Sequence, residues 1–571
     1  MRSLTIFAFL MATTSLASAA SNESFIGQIG ANNNAVVGQE KGNNKQGTIQ
    51  AGKNNQSITS QVGPSSGSNS NQSGTLQFGV KNNALVGQTG GNNTQGTIQG
   101  GVENKAITYQ SGAGGTQTNN SGTAQFGYKN DSLVGQTGGN NDSTTLQVGG
   151  KNKSTTGQEA NSTNAGKNDS TTAQFGWGNT ATTSQISKGA ANDGNKKGGI
   201  AGDNTSGILQ SGFGNTALVG QNSLGSGKTS SNGNTGGDAK SGVDNNSGVV
   251  QFGGKNYASV SQDGQRNGKD TTLSNDSFVG QFGWDNKATV GQLGGNNTQG
   301  TLQFGAKNVA TTGQTATDLG KTNSAFTLQG GYGNNALTSQ NTGGSTGFPN
   351  GTGGTNSALT MQFGKGNTSV TGQDSTGQGG FLISNFGVEN NAATIQAGKD
   401  NSSTTYQSGN RPIVGPDFVA NNSFVGQIGV GNIALVGQAN GANLQGTLQA
   451  GYKNNATTSQ SNDKLSLNQN AALTLQVGGK NTATTSQVAN PLGTGLNGSL
   501  IAQIGNGNTA TVGQQNNQSG LQPMIGANLQ ATVQVGYNNT ATTSQIASAA
   551  VSNTSVTAQF GSHNTATVVQ K

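Results

Sequence analysis

The chain has 571 residues, a formal net charge of +7, 29% hydrophobic and 9% charged residues, and 97 glycines. So little apolar material excludes a string of ordinary globular cores, and so small a charge, spread along the chain, excludes a nucleic-acid groove; no specific nucleic-acid partner is expected. Cysteine is absent, which removes disulfides and thiolate metal sites.

Taken from the start, residues 1–20 read as a secretory signal peptide. Arg2 supplies the positive end, Leu4 to Met11 the apolar stretch, and Ala17-Ser18-Ala19 the small-residue cleavage pattern. That apolar run is too short to span a bilayer, so no transmembrane segment is expected in the mature chain. The predicted location is extracellular, at the cell surface.

Residues 21–571 carry one recurring phrase. Its clearest copy is Gln77 to Gln88, Gln-Phe-Gly-Val-Lys-Asn-Asn-Ala-Leu-Val-Gly-Gln. With the first Gln at offset 0, Gly79 stands at +2, Asn82 at +5, Ala84 at +7, Val86 at +9 and Gln88 at +11. The grid also starts at Gln28, Gln50, Gln99, Gln125, Gln147, Gln174, Gln210, Gln251, Gln281, Gln303, Gln329, Gln362, Gln396, Gln427, Gln449, Gln476, Gln503, Gln534 and Gln559. In all 20 copies +2 is Gly, +5 Asn, +7 Ala or Ser, +9 Val or Thr, and +11 Gln. A lattice of this kind outranks any single residue in deciding the fold.

The finer unit is 11 residues, and two units make a turn of 22, the second a looser copy in which Gly90 and Asn93 keep the +2 and +5 places. One extra half-unit runs from Asn385 to Gln396. Segments such as Gly74 to Phe78 and Ala84 to Gln88 have strand composition over about five positions. The Gly-x-x-Asn stretches between them suit tight turns. The longest extra intervals, 187–209, 222–250 and 341–361, are rich in Gly, Asn and Ser and read as surface loops at one corner of the repeat. All six prolines (Pro64, Pro349, Pro412, Pro416, Pro491, Pro523) fall outside the 12-residue grid, as strand ladders require. The predicted fold is all-β: a cross-β, amyloid-like β-solenoid with two strands per turn of about 22 residues and about 20 stacked turns.

Strands send alternate side chains to opposite faces, so the repeated Gln, Gly, Asn, small, β-branched, Gln set is expected to face inward. Stacked about 4.8 Å apart, amides of successive turns bond to their own copies. The expected ladder comprises Gln28, Asn33 and Gln39; Gln50, Asn55 and Gln61; Gln77, Asn82 and Gln88; Gln99, Asn104 and Gln110; Gln125, Asn130 and Gln136. It continues through Gln281, Asn286 and Gln292; Gln427, Asn432 and Gln438; and Gln559, Asn564 and Gln570. Offset +1 then faces outward, and Phe78, Phe126, Phe175, Phe252, Phe282, Phe304, Phe363 and Phe560 form a lateral apolar stripe, an association surface. Only Lys571 follows Gln570, so the terminal strand edges are expected to recruit further copies and extend a fibre.

The phrase Gln-x-Gly-x-x-Asn-x-Ala-x-x-x-Gln resembles the curlin repeat of bacterial curli over nearly the whole chain after residue 20, though with far more copies than familiar curlin subunits carry. The resemblance implies a secreted amyloid subunit of biofilm matrix. It further implies self-polymerisation, adhesion to surfaces and cells, a nucleator subunit and an outer-membrane export channel.

Catalytic readings find no site. The single His, His563, occupies turn offset +4, where other copies have Lys81, Glu103, Lys129 or Asp285. Acids are scattered, the Gly-Gly-x-Gly-x-Asp calcium pattern is absent, and no Gly-rich stretch has the Gly-x-x-x-x-Gly-Lys-Ser/Thr spacing of a phosphate loop. No enzyme, cofactor or metal is expected. The turn charges read as a solvated corner of mixed sign, with Lys81, Glu103 and Lys129 alternating on successive turns. The aromatics at +3 (Tyr128, Trp177, Trp284, Tyr332, Tyr452, Tyr537) read as adhesive or as turn covers. An alternative function is a monomeric secreted module that binds ice or polysaccharide, suggested by Ala181-Thr182-Thr183 and Ala541-Thr542-Thr543. Against it, outward offset +8 varies between Thr and Leu, Val, Ile or Ser.

Overall fold

The computed structural model describes residues 21–64, 69–112, 117–160, 165–189, 201–224, 242–265, 273–316, 322–343, 354–376, 385–412, 420–462, 469–489, 495–517, 526–548 and 551–571. The proposed leader lies outside the described residues, as do Pro349, Pro416, Pro491, Pro523 and the middles of the three long intervals.

The chain divides between Asp285 and Asn286 into two compact units, and each is a solenoid-like stack of two parallel sheets. In the first unit, the first sheet runs from Asn22–Ala31 to Ser274–Trp284 and the second from Asn34–Glu40 to Tyr257–Gln265. In the second unit, the first sheet runs from Asn297–Ala306 to Asn553–Ser562 and the second from Lys287–Gly294 to Thr565–Gln570. Each turn gives one strand to each sheet. Pairing is parallel and in phase with the grid: Gln50 lies opposite Gln77, Gln77 opposite Gln99, and Gln99 opposite Gln125. Register is strongly specified because a one-residue slip would turn every buried amide outward.

The strands are longer than five residues. First-sheet strands such as Ser70–Val80 have 11 residues and second-sheet strands such as Asn83–Thr89 have 7. They also run into the three intervals read as loops. Lys188 ends Thr180–Lys188, Asn204–Phe213 begins inside 187–209, Asp244–Gly254 inside 222–250, and Asn356–Lys365 inside 341–361. Stretches such as Asn204-Thr205-Ser206-Gly207 have poor strand propensity alone, and the ladders above and below hold them extended. The half-unit read from Asn385 is different again. Asn385–Gly387 pairs antiparallel with Asn410–Pro412, apart from both sheets, while Glu389–Lys399 takes the first-sheet place.

The corner between the two strands of a turn explains the glycine. At Gly79 φ is +108° and at Lys81 it is +56°. A Cβ on Gly79 would lie 2.1 Å from the carbonyl oxygen of Gly101 on the next turn. Glycine is required there by backbone handedness and by the close approach of the neighbouring turn. The expectation that +2 shares the inward face with Gln is therefore corrected: Gly79 is only half-buried.

Inward faces are polar. Gln77, Asn82, Ala84 and Gln88 are all but inaccessible, and apolar side chains pack inside in groups such as Ala483, Ile501, Ala510 and Val512. Among the described residues no helix is long and apolar enough to cross a membrane.

Candidate functional site

Four amide columns run up each stack, two at the corners and two between the sheets. In the first sheet Gln28 donates from Nε2 to Oε1 of Gln50 at 2.7 Å, Gln50 to Gln77 at 2.7 Å, and Gln77 to Gln99 at 2.7 Å. The column goes on from Gln99 to Gln125 at 2.9 Å and from Gln251 to Gln281 at 2.8 Å. In the second sheet Gln39 donates to Gln61, Gln61 to Gln88, Gln88 to Gln110 and Gln110 to Gln136, all within 2.8 Å. The second unit repeats the arrangement: Gln292 donates to Gln314, Gln427 to Gln449, Gln438 to Gln460, Gln534 to Gln559 and Gln545 to Gln570.

The second amide proton of each Gln stitches the sheets together. Gln77 donates to the carbonyl of Gln56 in the second sheet, and Gln88 to the carbonyl of Gln72 in the first. A buried amide left alone costs about 1–3 kcal/mol, so a column of them is tolerable only because each turn supplies the partner of the next.

At the corner, Asn82 Oδ1 accepts from both the backbone and the side-chain nitrogen of Asn104, each at 3.1 Å. Asn82 Nδ2 donates to Asn55 Oδ1 and to the carbonyls of Phe78 and Gly101. Asn130 continues upward on Asn104, Asn308 on Asn286, Asn432 on Asn401 and Asn564 on Asn539. Asn33 receives both nitrogens of Asn55. Each of these Asn side chains therefore fills the corner that Gly opens.

The other corner has an amide column that the grid of offsets 0 to +11 did not include. Asn stands at offset −6 in all 20 copies. Asn71 donates to Asn44 and Asn93 to Asn71, both at 2.9 Å. Extending the grid six residues back shows that both strands carry one pattern: Asn, then a small residue or Gln, then a β-branched residue, then Gln. Two columns donate each way, the Gln columns toward the C-terminal turns and the Asn columns toward the N-terminal turns. In the outermost described turns these side chains meet solvent: Gln28 and Asn564 are exposed, and Gln39, Asn33 and Gln570 half-buried.

The outward stripe lies where strand alternation puts it. Phe78, Phe126, Phe175, Phe252, Phe304, Phe363 and Phe560 are exposed, while Phe282 is half-buried and stacks on Phe252 at 5.4 Å between centroids.

Charged corners carry local order. Lys81 and Lys129 reach Glu103 at 3.5 and 3.3 Å from the turns on either side. Hydrogen bonding to Lys129, together with the charges of Lys129 and Lys81, holds the Glu103 carboxyl below the usual range. Lys151 places Nζ 5.3 Å from the Trp177 ring and Lys255 5.6 Å from Trp284, as cation–π neighbours. Trp177 stacks on Tyr128 two turns away, across Gly150, where a side chain would collide with the ring. His563 sits at φ +60° with its ring edge-on to Tyr537 at 5.9 Å. Among the described residues no three His, Asp or Glu side chains gather to hold a metal ion.

No protein-family model matches the sequence, and no curated protein matches it significantly.

Proposed function

We propose that this protein is a secreted structural subunit that assembles into curli-like amyloid fibres, serving biofilm matrix, surface adhesion and cell aggregation. The observation that carries the reading is the in-register stacking of identical amides up to the outermost described turns. There Gln28 keeps a free carbonyl oxygen face and the Gln559 turn leaves its outer side uncovered, so a further turn of the same phrase has a template. The resemblance to the curlin repeat supports the same reading, and with it a nucleator subunit and an outer-membrane export channel as partners. The chain without residues 1–20 is expected to form thioflavin-binding fibres with a cross-β reflection at about 4.7 Å. Chain that stays monomeric and thioflavin-negative for days at concentrations that drive amyloid formation would overturn the proposal.

A further inference from the structure

The outward columns of the first sheet differ between the two units. At offsets −5, −3, −1 and +1 the first unit carries Glu23, Lys45, Asp142, Asp169 and Asp276. The same columns of the second unit, from the turn of Gln303 to that of Gln559, contain no charged residue. They hold instead exposed Phe424, Leu448, Leu473, Leu500, Leu529 and Val556. Leu473, Leu500, Leu529 and Val556 line a shallow groove of about 360 Å³ whose walls are almost entirely carbon. A contiguous apolar surface of this extent is uncommon on a protein that stands alone.

We propose that this face pairs with the same face of a second copy of the chain. It deepens the fibre reading and rests on it, adding sideways pairing to growth along the stack. Three observations choose the occupant. An uncharged face meets its own copy without like-charge repulsion, which the acids on the first unit would impose. Its side chains repeat once per turn, about every 4.8 Å, and a copy of this chain has the same rise, so the two sets interdigitate along their whole length as a dry zipper. Ten strands of about 4.8 Å spacing, each presenting about 20 Å of outward face, offer roughly 900 Å² per partner, the size at which specific interfaces form.

The test compares wild-type chain with the double variant Leu448→Lys and Leu500→Lys. Both side chains point outward, two turns apart, so the fold is expected to survive; Leu448→Ser with Leu500→Ser is the milder version should the lysines impair it. Phe126→Lys on the first unit is the control. Wild type and control are expected to give fibres with twice the mass per length of the double variant, all three keeping the reflection at about 4.7 Å. Equal mass per length in wild type and double variant overturns the pairing and leaves fibre growth standing. If no chain forms fibres, growth along the stack fails, and sedimentation decides the face: a wild-type dimer that the variant converts to monomer supports it, and a wild-type monomer overturns it.

Discussion

Gln147 and Val148 are neighbours in the chain and obey different rules. Gln147 points inward, accepts from Gln125 and donates to Gln174, and its column is Gln in every turn. Val148 points outward, and its column runs Phe126, Val148, Phe175, Ser211 and Phe252 over successive turns. An inner side chain must match its copies above and below, because changing one strands two neighbours. An outer side chain only covers the sheet, so it is free to drift in size and polarity. Repetition is enforced where partners are other turns of the same chain, and lost where the partner is water.

Four measurements sharpen or break that contrast. The largest effect is expected at the corner: Gly149 has φ +116°, and a Cβ there would lie 2.0 Å from the Gly176 carbonyl oxygen. Gly149→Ala should cost about 3 kcal/mol in urea unfolding, whereas Gly157→Ala, with open space around its Cβ, should be neutral or gain about 0.5 kcal/mol. If the two substitutions cost the same, the close approach of turns is not what demands glycine. Next, Gln147→Leu fills the same space but removes the bonds to Gln125, Gln174 and the Asp131 carbonyl. A loss of about 2–3 kcal/mol is expected, with faster amide hydrogen exchange in the strands on either side. Val148→Ser should cost under about 1 kcal/mol, and an equal loss at Gln147 and Val148 would dissolve the distinction between inner and outer columns.

The smallest effect belongs to Asp142, on the outward face. Burial first, then the charge of Asp169 on the adjoining turn, raises its pKa, with Lys167 opposing. A folded-state value above the unfolded one means that the charged form disfavours the fold. Stability therefore rises as pH falls through the raised value and levels off below the unfolded value of about 3.9. Asp142→Asn should remove that slope and add less than about 0.5 kcal/mol near neutrality; a variant that keeps the slope points to another group.

The β-solenoid with two strands per turn was legible because 20 copies in constant phase leave few other folds. What the sequence hid has physical causes. Asn71 and Asn93 belong to a column as regular as the glutamines, yet insertions fall beside that corner and break the spacing between turns, so the regularity shows only when counted back from each Gln. Asn204 to Gly207 looks like loop because composition reports local propensity, and neighbouring turns supply the extension. The requirement for glycine at 79 was visible, but its cause was not. A carbonyl from the next turn is a contact between residues 22 apart, and no alternation rule along one strand reveals it.

The opposed directions of the amide columns bear on length. An α-helix aligns its peptide dipoles head to tail, which leaves about half an elementary charge of opposite sign at its two ends. Here each turn contributes two glutamine dipoles one way and two asparagine dipoles the other, while the peptide groups of a β-strand alternate in direction. Successive turns cancel rather than accumulate, and the hundredth would join on the same electrostatic terms as the tenth.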